Sequence, residues 1–292
     1  MRVLQFLILS TFLFLGCTPE NPTPTTQTNV YVAGYEGNVA KIWKNGVATN
    51  LTNGSKDATA WSVFVLGTDV YVAGEERFGG SGTKRVAKIW KNGVATNLTN
   101  GSNEGHAYSV YVSGTDVYVA GNEEGNGTTE VAKIWKNGVA TNLTNGSINA
   151  SAHSVFVLGT DVYVAGYEGN FAKIWKNGVA TNLTNGSISA DAYSVFVLGT
   201  DVYVAGKERF GGSGTRWVAK IWKNGVATNL TNGSNEGEAY SVYVSGTDVY
   251  AAGIEGGNGT TEVAKIWKNG VATNLTNGSI NACANSVFVT NN

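Results

Sequence analysis

From Asn29 onward the chain is built from short apolar runs interrupted by polar turn residues. One period reads Ser62-Val63-Phe64-Val65, then Val70-Tyr71-Val72-Ala73, then Val86-Ala87-Lys88-Ile89-Trp90, then Val94-Ala95-Thr96-Asn97-Leu98. Each run is β-branched or aromatic, so each period predicts four strands, here called A to D in chain order. Asn92-Gly93 separates C from D. A type I′ turn needs positive φ at both central positions, and Asn-Gly supplies it at least cost. Gly67-Thr68-Asp69 separates A from B. Strand D alternates Thr and Asn with apolar residues, the polarity of an outer edge that must not pair with other molecules.

The segment Ala40-Lys41-Ile42-Trp43-Lys44-Asn45-Gly46-Val47 recurs with Trp at 43, 90, 135, 175, 222 and 267, at spacings of 47, 45, 40, 47 and 45. Six copies at that period suit the blades of a β-propeller. The order of lengths repeats after three copies, as after duplication of a three-blade unit. The first copy begins at strand B (Asn29-Val30-Tyr31) and the last ends at strand A (Ser286-Val287-Phe288-Val289). The expected fold is therefore all-β, a six-bladed β-propeller of four-stranded antiparallel blades. Its ring is closed by the C-terminal strand A pairing with N-terminal strands B–D. Residues 29–292 resemble the highly repetitive bacterial β-propellers. Trp43 is followed by Lys44, so the Trp-Asp signature of WD repeats is absent, as is the Gly-Gly start of kelch repeats.

Residues 1–17 combine Arg2, an apolar run from Val3 to Leu15 and Gly16-Cys17. The end, Leu13-Phe14-Leu15-Gly16-Cys17, resembles a bacterial lipoprotein signal peptide and implies lipidation at Cys17, with an ordinary cleaved signal as the other reading. Residues 18–28, rich in Pro and Thr, then read as a flexible tether. A net charge of −1 provides no global field for nucleic acid. Two cysteines are too few for a disulfide framework. The expected place is the cell envelope, outer membrane or cell surface, reached through the lipid anchor alone, with the chain as a monomer.

Differences between copies collect in the D–A and B–C connections. Alternating strand direction places both on one face of the disc. Trp61, Tyr108, His153, Tyr193, Tyr240 and Asn285 should ring the channel mouth there. Thr59, His106, Ser151, Asp191, Glu238 and Cys283 stand two residues before them. Aromatic rings of this kind suit sugar stacking or a protein hot spot, while relaxed constraint on exposed loops would also produce variety. The longest B–C loops, in the second and fifth copies, carry Arg77-Phe78 and Arg209-Phe210 before Gly-Gly-Ser-Gly-Thr. They read as flexible flaps or as floppy insertions.

Other candidates have structural explanations. Glu36, Glu76, Glu123, Glu168, Glu208 and Glu255 occupy one position in each B–C loop. A carboxylate ring could hold a cation, but pairing with the repeated Lys41, Lys88, Lys133, Lys173, Lys220 and Lys265 is favoured. The turn aspartates, such as Asp69, are expected to bond nearby backbone. The repeated Trp residues are expected to pack between blades under Lys stems. His106 and His153 lack partners at metal-ligand spacing. Asp191 and Glu238 could form an acid/base pair across the mouth. The function expected is a non-enzymatic module binding a glycan or protein, without cofactor or metal. The alternatives are a glycan-active enzyme using top-face carboxylates and a structural surface protein.

Overall fold

The computed structural model describes residues 29–77, 84–125, 127–209, 216–256 and 261–290. Cys17, the tether, Phe78 and Phe210 lie outside the described residues. The strands form six antiparallel sheets in chain order. The first has three strands, β1 (Tyr31–Glu36), β2 (Val39–Lys44) and β3 (Val47–Asn50). The second has four, β4 (Ala58–Leu66), β5 (Asp69–Arg77), β6 (Arg85–Lys91) and β7 (Val94–Asn97). The third runs β8 (Gly105–Ser113), β9 (Asp116–Glu124), β10 (Glu130–Lys136) and β11 (Val139–Asn142). The fourth runs β12 (Ala150–Leu158), β13 (Asp161–Glu168), β14 (Phe171–Lys176) and β15 (Val179–Asn182). The fifth runs β16 (Ala190–Leu198), β17 (Asp201–Arg209), β18 (Trp217–Lys223) and β19 (Val226–Asn229). The sixth runs β20 (Gly237–Ser245), β21 (Asp248–Gly256), β22 (Glu262–Lys268) and β23 (Val271–Asn274).

Local chemistry makes these blades. Asn45, Asn92, Asn137, Asn177, Asn224 and Asn269 all have φ of 51–52°, each followed by a glycine near 80°, the geometry a type I′ hairpin demands. The turn aspartates use side chains rather than the backbone expected of them. Asp69 accepts from the Asn92 amide at 2.8 Å and pairs with Lys91, while Asn92 Oδ1 takes the Val70 N–H. Lys91 Nζ lies over the Tyr71 ring, 5.2 Å from its centroid. The A strands β4, β8, β12, β16 and β20 pack against one another on the inside. Every four-residue D strand is fully exposed outside.

Packing between sheets supplies the core. Trp90, Trp135, Trp175, Trp222 and Trp267 are at most 1% exposed. Each lies against the preceding sheet, as Trp222 does with Tyr163, Ala165 and Ala172. Among the described residues no sheet precedes that of Trp43, which is only partly buried. Residues 281–290 form no ladder with β1 and carry no strand pairing. They hold to the sixth sheet through the Val287 N–H on Ser241 Oγ at 3.2 Å and the Ala282 N–H on the Glu262 carbonyl. Among the described residues the expected closing ladder is not formed.

Candidate functional site

The mouth is built by a repeated irregularity. Strand A slips register once per blade, between Ala60 and Ser62, Ala107 and Ser109, Ala152 and Ser154, Ala192 and Ser194, and Ala239 and Ser241. The bulged residues are Trp61, Tyr108, His153, Tyr193 and Tyr240. A bulge releases one residue from the ladder and re-aims its side chain. Opposite each bulge strand B carries Gly74, Gly121, Gly166, Gly206 or Gly253, where a Cβ would stand 1.9–2.1 Å from a strand A carbonyl oxygen. The five released rings touch in sequence, with centroids 6.3, 5.6, 5.4 and 5.5 Å apart from Trp61 to Tyr240. Trp61 is half exposed and the others are partly buried. Asn285, the sixth position, is exposed and accepts from the Cys283 thiol.

A second aromatic tier lies three residues further along each A strand. Phe64, Tyr111, Phe156, Phe196, Tyr243 and Phe288 follow one another at 4.7–5.1 Å. Between the tiers Ser62, Ser109, Ser154 and Ser194 each accept the N–H of a valine in the next blade. This tier was not expected from the sequence, although alternation along Ser-Val-Phe-Val puts Phe64 on the face opposite to Val63 and Val65.

Two clusters of charge flank the aromatic arc. At the junction of the second and third sheets, Glu75 is 4% exposed and meets His106 Nδ1 at 2.5 Å and Arg85 Nε at 3.2 Å. Glu104 joins Arg85 at 3.1 Å. Burial alone would depress the His106 pKa, but Glu75, aided by Glu104, raises it above the ordinary value. The same two positions at the fifth junction carry Lys207 and Glu238. Lys207 Nζ lies 3.1 Å from Glu238 and 3.7 Å from Asp191. The Tyr193 hydroxyl stands 3.3 and 3.4 Å from the same two carboxylates. Asp191 and Glu238 thus share Lys207 as a common cation. Burial holds His153 below its ordinary pKa, and it donates from Nδ1 to the Ala192 carbonyl as a neutral ring.

Because His106 titrates higher folded than unfolded, its contact contributes fully below pH about 6.5 and is lost as pH rises through the folded pKa. Thermal melts between about pH 6 and pH 9 should lose stability with rising pH by an increment that His106→Gln abolishes. An identical slope in parent and variant would remove His106 as the source.

Glu75 and Lys207 were not singled out from the sequence. The residue after the strand B glycine reads Tyr35, Glu75, Asn122, Tyr167, Lys207 and Ile254 through the copies, a variation as large as that of the D–A positions. That was the available signal. Of the loop arginines, Arg77 Nε pairs with Asp57 at 3.0 Å and Arg209 lies over Trp217 at 4.5 Å. The six Glu–Lys pairs all form, from Lys41–Glu36 through Lys88–Glu76 at 2.7 Å to Lys265–Glu255. Among the described residues no group of three or more His, Cys, Asp or Glu is placed to hold a metal ion.

This blade architecture is a β-propeller. No family model matches the chain, and no curated protein does. Solved structures resemble it in fold. A puromycin-hydrolyzing peptidase of Mycobacterium tuberculosis is 12% identical, with a TM-score of 0.57 over 85% of this chain and 43% of that one. An acylaminoacyl peptidase, solved with Z-Gly-Gly-Phe-chloromethyl ketone, superposes with a TM-score of 0.52 at 13% identity, over 86% of this chain and 43% of its own. The chain spans less than half the length of either peptidase, and likeness at that identity speaks for fold alone.

Proposed function

We propose that this chain is a non-enzymatic binding module that seats a neutral glycan on the face carrying the D–A and B–C connections. The supporting observation is the arc from Trp61 to Tyr240, five rings released by bulges above a second aromatic tier. Such rings stack on the C–H faces of sugars. The charges beside them are already matched, Glu75 by His106 and Arg85, and Lys207 by Glu238 and Asp191. The free surface therefore favours an uncharged ligand over an ionic one. An acid/base role for Asp191 and Glu238 would have to dispense with Lys207. Lipidation at Cys17, with residues 18–28 as tether, would hold a monomer at the cell envelope.

The test is a glycan array probed with soluble protein beginning at Thr18, beside a variant with Trp61, Tyr108, Tyr193 and Tyr240 changed to Ala. At about 0.5–1.5 kcal/mol per ring contact, the variant should bind roughly 100-fold more weakly or worse while keeping its cooperative melt. Equal binding by both proteins would move the site away from the arc. No glycan bound by the parent would end the glycan reading in favour of a protein ligand.

A further inference from the structure

We propose that Asn53, Asn100, Asn145, Asn185, Asn232 and Asn277 are sites of intramolecular deamidation, each converted by its own loop, through a cyclic imide, to aspartate or isoaspartate. Every copy carries two Asn-Gly pairs in the run Lys-Asn-Gly-Val-Ala-Thr-Asn-Leu-Thr-Asn-Gly-Ser. The first pair makes the C–D hairpin and the second opens the D–A connection. A following glycine favours this chemistry because no side chain shields its amide nitrogen. The asparagines of both sets are exposed, so access to solvent does not separate them. Hydrogen bonding does.

The hairpin set is tied down. From Asn45 to Asn269, Oδ1 accepts a strand B amide at 2.8–2.9 Å. Nδ2 donates to the turn aspartate at 2.8 Å in five of them and to Asn29 in the first. Bringing Cγ onto the glycine nitrogen would break both bonds. The loop set is held the opposite way. Its Oδ1 accepts the Ser N–H two residues on at 2.9–3.0 Å. That bond closes a ring to which Cγ and the glycine nitrogen both belong. Among the described residues Nδ2 of the loop set donates to no partner, so nothing retains the departing ammonia. Ser55, Ser187, Ser234 and Ser279 add a hydroxyl donor to the same oxygen at 2.6–2.7 Å. These donors meet the negative charge that Oδ1 acquires on attack, as in an oxyanion hole.

The glycine N–H gives its proton to hydroxide, its nitrogen bonds to Cγ, and the Cγ–Nδ2 bond breaks. Water supplies the proton that ammonia carries off. A second water then opens the imide at either carbonyl, cleaving one C–N bond and restoring the N–H. Both products are carboxylates, ionised at neutral pH. Each event therefore adds a negative charge, on the face that carries the mouth, to a chain of net charge −1.

Mass spectrometry of the full chain, aged in mildly alkaline buffer and then digested with trypsin, tests this. Cleavage after the hairpin lysine leaves both asparagines of a copy in one peptide, and fragmentation locates the mass gained. In the folded chain the loop set should convert at least about tenfold faster, since the hairpin set must first break two hydrogen bonds. In urea the two sets should convert at equal rates. Ser55→Ala should slow conversion at Asn53 several-fold, whereas Ser102→Ala should leave Asn100 unchanged, because Ser102 offers it only the backbone N–H. Both serines are exposed, so neither variant endangers the fold. Equal rates in the folded chain, or no conversion of the loop set, would overturn the proposal. A difference that survives in urea would overturn it too, because sequence and not structure would then set the rate. Conversion at Asn53 indifferent to Ser55→Ala would remove the hydroxyl from the reaction.

Discussion

Replacing Gly166 by alanine is expected to destabilise the fold by at least about 3 kcal/mol, roughly 6–12 °C in melting temperature. Strand propensity argues the other way, because alanine in a strand is worth about 0.5–1 kcal/mol over glycine. The geometry reverses the sign. A Cβ at this position would sit 1.9 Å from the Ser151 carbonyl oxygen and 3.0 Å from Ala152 Cα, so backbone rather than a flexible side chain must yield. The strand that must retreat carries His153, which lies 5.6 Å from Tyr108 and 5.4 Å from Tyr193. Under the proposed glycan-binding function, loss of stability should be accompanied by weaker glycan binding. Circular-dichroism melts of parent and variant decide the matter, and equal melting temperatures would mean that strand A accommodates the methyl group without the bulge.

Trp222→Ala should cost about 3–5 kcal/mol, the usual range for emptying a buried tryptophan site. Its ring is 0% exposed and fills the junction between the fourth and fifth sheets with Tyr163, Ala165, Ala172 and Ala190. Small neighbours of this kind belong to backbone that cannot collapse into the cavity. The indole N–H has no hydrogen-bond partner among the described residues, so the loss is one of packing and Trp222→Phe should restore most of it. Trp135 differs, because its Nε1 donates to the Leu98 carbonyl at 3.2 Å. Trp135→Phe should consequently cost about 1 kcal/mol more than Trp222→Phe. Urea titrations of the three variants measure these differences. Equal costs for the two phenylalanine variants would show that the Trp135 bond contributes nothing net.

Much of the site was legible because the copies can be compared within one chain. Positions 61, 108, 153, 193 and 240 stand out as variable beside an unvarying scaffold, and the structure brings their side chains together. Their aim was not legible. Nothing in an alternating apolar run announces a bulge until the glycine of strand B is seen to lie across from it. The charged clusters were hidden for a related reason: Glu75 and His106 are 31 residues apart, as are Lys207 and Glu238. Each pair meets only where one blade's strand B packs on the next blade's strand A.

The number of blades, the four strands of each blade from the second to the sixth, the Asn-Gly hairpins and the polar outer edge can be read from the chain alone. All of these are set by period and by backbone conformations that few residue types adopt. The Glu–Lys pairs follow from the same local register, since each joins the facing strands of one hairpin. Only the tertiary structure decided which variable residues are partners, that Asp191 and Glu238 share Lys207, and that a second aromatic tier underlies the first. Those contacts run between blades. Their geometry depends on how one sheet is rotated against the next, and repeating the same strand pattern leaves that rotation open.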